Sequence, residues 1–209
     1  MNIGRIFSPD NIVARVLSCI CDGVWLTILW FVCSIPVVTI GASTKAVYAV
    51  TLKMVKGQEG IITKQFFEAF KESFWQSTAA WAIIVISGLV CSINIYFFYN
   101  QDSEFAKMMM LVQLVAAFII LSMFTYIFPA IAKFSNSLKN LFIISFVLAV
   151  RNLGWTLLMN TITVCFIVAG VYIMAPLLII SAGGIALLNS IMLAKIFDKY
   201  IVENDMQQV

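Results

Sequence analysis

The chain contains no histidine, and only 11% of its 209 residues are charged. Losing histidine removes the commonest general base near neutral pH and the commonest metal ligand. Ser/His/Asp sets and HExxH zinc sites are therefore excluded, and no GxxxxGK phosphate loop is present either. The five cysteines (Cys19, Cys21, Cys33, Cys91 and Cys165) contain no CxxC pair. Their expected role is that of small apolar fillers inside helices. Net charge is only +3 and is dispersed, whereas a nucleic-acid partner needs a basic face or stripe. The first 22 residues hold Arg5, Asp10, Arg15 and Asp22, so no apolar core is long enough for a cleavable leader. The expectation is a protein that is not an enzyme and that carries no cofactor, metal or nucleic acid.

What the chain has in excess is apolar surface. Hydrophobic residues make up 62% of it and its mean hydropathy is +1.01. A soluble domain carries about 45–50% apolar and about 25% charged residues. Too little charge remains to solvate an ordinary surface, and lipid is the solvent that resolves the mismatch.

Crossing about 30 Å of hydrocarbon takes roughly 20 apolar residues. Four intervals are free of charge: 23–44, 73–101, 108–132 and 152–194. The last is long enough for two crossings, with Pro176 marking the turn between them. Five spans follow, near 23–43, 76–99, 108–131, 153–174 and 177–196. The fold class expected is all-α, a polytopic membrane helix bundle forming one integral membrane domain over 1–209. With the N-terminus outside, Lys45, Lys53, Lys56, Lys64, Lys71, Lys133, Lys139, Arg151, Lys195 and Lys199 fall inside, against Arg5, Arg15 and Lys107 outside. Asp102 and Glu104 give the 100–107 loop an external character as well. The positive-inside rule therefore predicts N-out, C-in, in a cell membrane.

Two segments on the cytoplasmic side read as more than loops. In 61–75, Ile62, Phe66, Phe70 and Phe74 recur every four residues, with charges between them. That spacing predicts an amphipathic helix whose aromatic face lies along the membrane interface. Residues 139–150 are apolar but too short to span, which predicts a re-entrant or interfacial helix. The order of span, proline, basic linker, interfacial helix and span occurs twice, after Pro36 and after Pro129.

No acidic residue falls inside a predicted span, so a proton or ion path is not expected. Moderate polarity remains. Asn94, Asn160 and Asn189 are the candidate polar lining, while Ser and Thr side chains serve as interhelical glue. Ala182, Ala186, Ser190 and Ala194 place a small residue at every fourth position, which lets another backbone approach. Pro36, Thr39 and Gly41 form the most distinctive stretch: Pro36 disfavours helix at Ile35, and Gly41 permits a bend or a close approach. With Phe66, Phe70, Phe74 and Arg151, they are the candidate structural or docking positions at the cytoplasmic face.

The stretch Ser34-Ile35-Pro36-Val37-Val38-Thr39-Ile40-Gly41-Ala42-Ser43 resembles the LPVVTIGAA signature of the YesL-like bacterial membrane proteins. The likeness continues through Lys56-Gly57-Gln58-Glu59-Gly60, Phe66-Phe67, Ala69-Phe70, Phe74-Trp75-Gln76-Ser77-Thr78 and Val150-Arg151-Asn152-Leu153, with Ser73 standing where the family has asparagine. The resemblance implies about five spans and no established function. It also implies genes that neighbour carbohydrate ABC importers and sugar-degrading enzymes. The expected role is an accessory or regulatory subunit of carbohydrate ABC import, with a stand-alone small-solute transporter or facilitator as the alternative. Expected partners are the lipid bilayer, and either ABC permease or ATPase subunits or a second copy of the chain.

Overall fold

A computed structural model describes the backbone of residues 12–58, 60–101, 103–172 and 175–207, and their side chains except at 12–17, 166–181 and 202–207. Glu59, Asp102 and the N-terminal Arg5 and Asp10 lie outside the described residues, as does residue 173–174 at the expected turn. The described residues form eight α-helices and one 3-10 turn: α1 (Ile12–Cys33), the turn Val37–Thr39, α2 (Ile40–Val55), α3 (Ile62–Glu72), α4 (Phe74–Tyr99), α5 (Glu104–Lys133), α6 (Leu138–Arg151), α7 (Leu153–Tyr172) and α8 (Ala175–Gln207). The architecture is an all-α bundle.

The first predicted span needs redrawing. The helix starts at Ile12, carries Asp22 within it and ends at Cys33, so 34–43 is not part of it. Pro36 is extended (φ −75°, ψ 112°) and Thr39 precedes a new helix, α2. Proline ends the helix here instead of bending it, because its ring forces Ile35 out of the α region. Residues 40–55 are likewise not a cytoplasmic linker. They form the hub of the bundle, touching α1, α3, α4, α5 and α8 and burying Gly41, Ala42, Lys45, Ala46, Val47 and Val50 among others. The sixteen residues of α2 rise only about 24 Å, short of the hydrocarbon thickness. A central helix can be that short because its neighbours, not lipid, cover it.

Gly41 is where α2 meets α4. A Cβ on it would strike the carbonyl oxygen of Ser77 and lie 2.7 Å from Trp81 Cβ, so the two backbones touch through a missing side chain. Pro129 also departs from expectation: it sits inside α5, which continues to Lys133. Pro176 falls in the first turn of α8, where a missing N–H has no intrahelical partner to lose.

The repeated order does have a backbone counterpart. α3 passes into α4 through Ser73 (φ −127°, ψ 34°), and α6 passes into α7 through Asn152 (φ −120°, ψ 44°). In each case the carbonyl of the bend residue accepts the N–H four residues on, at 3.0 Å for Ser77 and 2.9 Å for Thr156. At Asn152 the two axes turn by 100°, so α6 is a separate short helix and not the start of a straight span.

By length and apolarity α4 and α5 are long enough to cross a membrane, and α6 with α7 reaches that length only when the bent pair is counted as one broken span. Only 6% of the most apolar window of α4 is buried by protein, leaving Ile86, Leu89, Val90, Ile93 and Phe97 exposed beside Leu111, Val112 and Val115 of α5. A soluble surface does not carry an apolar patch of that extent, so these helices are membrane-associated.

Candidate functional site

The corner between α1 and α2 is sewn by one side chain. Thr39 Oγ1 lies 2.5 Å from the Cys33 carbonyl and 2.6 Å from the Pro36 carbonyl, and donates there. The one hydroxyl proton is shared between them, and the Cys33 carbonyl is one that the end of α1 leaves without a helical partner. Ile35, Val37 and Val38 project outward and are exposed.

On α2 the structure buries a charge that hydropathy placed in a solvated loop. Lys45 is 1% exposed. Its Nζ donates to the Ala69 carbonyl at 2.9 Å and to Glu72 Oε2 at 3.2 Å. Ala69 and Glu72 belong to the last turn of α3, where carbonyls lack partners and the helix dipole is negative. Lys45 thus clamps α3 to the hub. The same packing turns Phe66 inward: it is fully buried and starts a ring sequence that stacks on Phe70 and then meets Phe74 edge-on. Phe66 therefore lies against the bundle, Phe70 and Phe74 are half-buried, and Phe67 and Trp75 are exposed.

A cavity of about 600 Å³ lies among α1, α2, α5, α7 and α8. Its walls are chiefly apolar, with Val47, Phe124, Ile185 and Ala186 inside and the exposed Ile28 and Phe31 at its edge. Among the polar side chains that line it are Thr27, Thr44, Tyr48, Thr125, Thr163 and Asn189. Asn189 is 1% exposed, and its Nδ2 lies 3.5 Å from Tyr48 Oη while its Oδ1 has no partner. Whichever way the amide is turned, Tyr48 can satisfy only one end of it. Thr125 also lines the cavity, and its hydroxyl donates to Asn160 Oδ1 at 2.7 Å, while Asn160 Nδ2 donates to Ser122 Oγ at 3.2 Å. Beside this, Tyr126 Oη and Thr156 Oγ1 are 3.0 Å apart. Such a volume, apolar with few polar groups, suits an amphiphile better than a free sugar, which needs many hydrogen-bonding partners.

The sequence candidates are thus partly gathered. Asn189 lines the cavity and Asn160 stands behind Thr125, whereas Asn94 is on α4 and borders neither. Asn160 joins α5 to α7 through two buried bonds of the kind worth about 0.6–2 kcal/mol each. Asn160→Ala is expected to lower stability by about 1–3 kcal/mol, read as a fall in the thermal midpoint in detergent; an unchanged midpoint would refute the strut. Ala186, Ser190 and Ala194 are buried against the protein's own helices, with Ser190 Oγ 2.7 Å from Thr51 Oγ1 on α2, and Ala182 borders the cavity. Arg151 closes α6 as its last-turn cation, complementing the helix dipole.

Sequence reasoning missed Gly183. A Cβ there would strike the Gly23 carbonyl oxygen and come within 2.8 Å of its carbon and 2.9 Å of Thr27 Oγ1. Thr27 completes this crossing of α1 and α8: its hydroxyl donates to the Gly23 carbonyl at 2.8 Å and accepts from Gly183 N at 2.8 Å. The signal lay in the pair Gly183-Gly184 inside an apolar run, beside the small-residue row that drew attention instead. Among the described residues no three of His, Cys, Asp and Glu come together.

Residues 24–95, from α1 through most of α4, match the family described as "Protein of unknown function, DUF624". That segment contains the Thr39 corner, the Gly41 contact and the Lys45 clamp. An uncharacterized protein of Bacillus subtilis (strain 168), YteU, is 29% identical over 125 residues, covering 58% of this chain. The match spans 55% of that relative's own length. No solved structure matches the chain. The likeness is to proteins of unknown function, and the family match covers the helix that organises the bundle, α2.

Proposed function

We propose that the chain is a YesL-like, multi-pass protein of the bacterial cell membrane that serves as an accessory or regulatory subunit of a carbohydrate ABC importer. In this reading it crosses the bilayer five times, N-terminus outside and C-terminus in the cytoplasm, and performs no catalysis itself. The orientation is supported by the excess of lysine and arginine on one side, and the link to sugar import rests on the resemblance to YesL-like proteins.

The observation that carries the accessory role is how the interior polarity is used. Asn160, Thr125, Ser122, Thr156, Tyr126, Thr51 and Ser190 spend their side chains on one another across helix contacts, and the large cavity is walled by apolar side chains. A sugar path would need those groups free. The rival, a stand-alone facilitator, draws on the same cavity and on the free end of Asn189, and it suits a small apolar solute better than a sugar.

Tagged full-length protein, extracted from native membranes in mild detergent, is expected to bring down permease and ATPase subunits. Its recovery without either one overturns the accessory role. Sugar uptake into proteoliposomes holding this chain alone overturns it in favour of the facilitator. In the same cells, Lys56→Cys should be shielded from an impermeant thiol reagent added outside; labelling there reverses the orientation.

A further inference from the structure

A second, smaller pocket of about 190 Å³ opens where the C-terminal ends of α2 and α5 meet α8. Three lysines line it: Lys53 from α2, Lys56 just past its end, and Lys133 from α5. Among the described residues one carboxylate pairs with these lysines, Asp198, which Lys56 holds at 2.6 Å. Lys53 and Lys133 have no acidic partner among the described residues. The inner wall is apolar, built with Ala132, Ala194 and Phe197.

Each of these lysines has a local reason to sit near a helix end, since a cation there complements the dipole. That reason asks only for a place in the last turn. It does not require two distant parts of the chain to bring three lysines to one concavity, with two of them unpaired among the described residues. Ammonium groups converging on a space of this size select an anion, and lysine is a ready point-charge partner for phosphate. A basic pocket between membrane helices over an apolar wall matches the headgroup and glycerol region of an anionic phospholipid. Free inorganic phosphate shares the anion chemistry but has no use for the apolar wall.

We infer that the Lys53–Lys56–Lys133 pocket binds the phosphate-bearing headgroup of an anionic phospholipid. The inference is independent of the accessory role, because it concerns which lipid the chain holds and not which protein it serves.

The test titrates short-chain phosphatidylglycerol into the purified full-length protein in neutral detergent, with phosphatidylcholine and inorganic phosphate as separate arms. Wild type is expected to bind phosphatidylglycerol in preference to phosphatidylcholine. Lys53→Gln together with Lys133→Gln is expected to weaken that binding roughly thirtyfold, the equivalent of about 1 kcal/mol of surface attraction per lysine. Lys195→Gln with Lys199→Gln removes the same charge from α8 outside the pocket, and should leave binding near wild type. Equal losses in the two double variants would reduce the effect to net charge and overturn the site. Binding of inorganic phosphate as tight as that of phosphatidylglycerol would overturn the lipid as its occupant. Both double variants change exposed side chains, so a monodisperse elution profile shows that they fold.

Discussion

Gly183→Ala is expected to destabilise the protein by about 1–3 kcal/mol, the range for forcing a methyl group into a filled contact. Gly184→Ala, one residue on, is expected to stabilise it by about 0.5–1 kcal/mol, the helix-propensity difference between glycine and alanine. The opposite signs come from position alone. At Gly183 the new methyl meets the Gly23 backbone and the Thr27 hydroxyl, while at Gly184 nothing lies within 4 Å. Backbone atoms have no rotamer in which to escape, so α1 and α8 must separate, and the Thr27 bond to Gly183 N at 2.8 Å goes with them. Denaturation of both variants in one detergent, by heat or by increasing SDS, reads the difference. Equal midpoints would show that the two helices do not meet at Gly183.

Lys45→Met is expected to cost about 2–3 kcal/mol, because it keeps the aliphatic stem but strips a charged hydrogen bond from a buried carbonyl. The paired expectation separates the two partners of Lys45. Glu72 has a side chain that is 73% exposed, and exposed ion pairs are worth about 0.2–1 kcal/mol, so Glu72→Gln should lose little. The greater part of the clamp is then the bond to Ala69 at 2.9 Å. A released α3 should also become the first part of the bundle to open, measurable as faster amide exchange over 62–72 with α4 and α5 unchanged. Equal losses in the Lys45 and Glu72 variants would refute the carbonyl as the main partner.

These two contacts also mark where reading along the chain stops being enough. The charge-free runs at 73–101 and 108–132 predicted α4 and α5 closely, because in lipid every backbone group must be satisfied within its own helix and composition alone then dictates the element. The short segment 139–150 was recognisable as a separate helix for a similar reason, its length being too small for a crossing. At 34–55 the same logic failed. Lys45 ended the uncharged run, so hydropathy closed a span at 43 and opened a linker. The chain instead turns at Pro36 and spends the next sixteen residues as the central helix. Hydropathy counts a lysine by its charge and cannot see that the Ala69 carbonyl and the Glu72 carboxylate at the end of α3 will receive it.

The candidate site was legible in the same uneven way. Asn160 and Asn189 stood out as polar residues in apolar runs, and both border or back the cavity wall. Asn94 carried the same sequence signal and is part of neither. What separates the three is which face of its helix each occupies relative to neighbours that are distant in the chain.

The amino-acid sequence by itself determined the all-α class, the lipid setting and the positions of the long apolar helices, since these follow from local composition and from the need of each backbone group for a partner nearby. Only the tertiary structure decided that α2 is the hub, that Lys45 is buried, that Gly183 and not the neighbouring alanine row is the point of closest approach, and that lysines from α2 and α5 share one pocket. Each of those depends on atoms from helices far apart in the chain coming within a few ångströms, and no periodicity along a single segment encodes that distance.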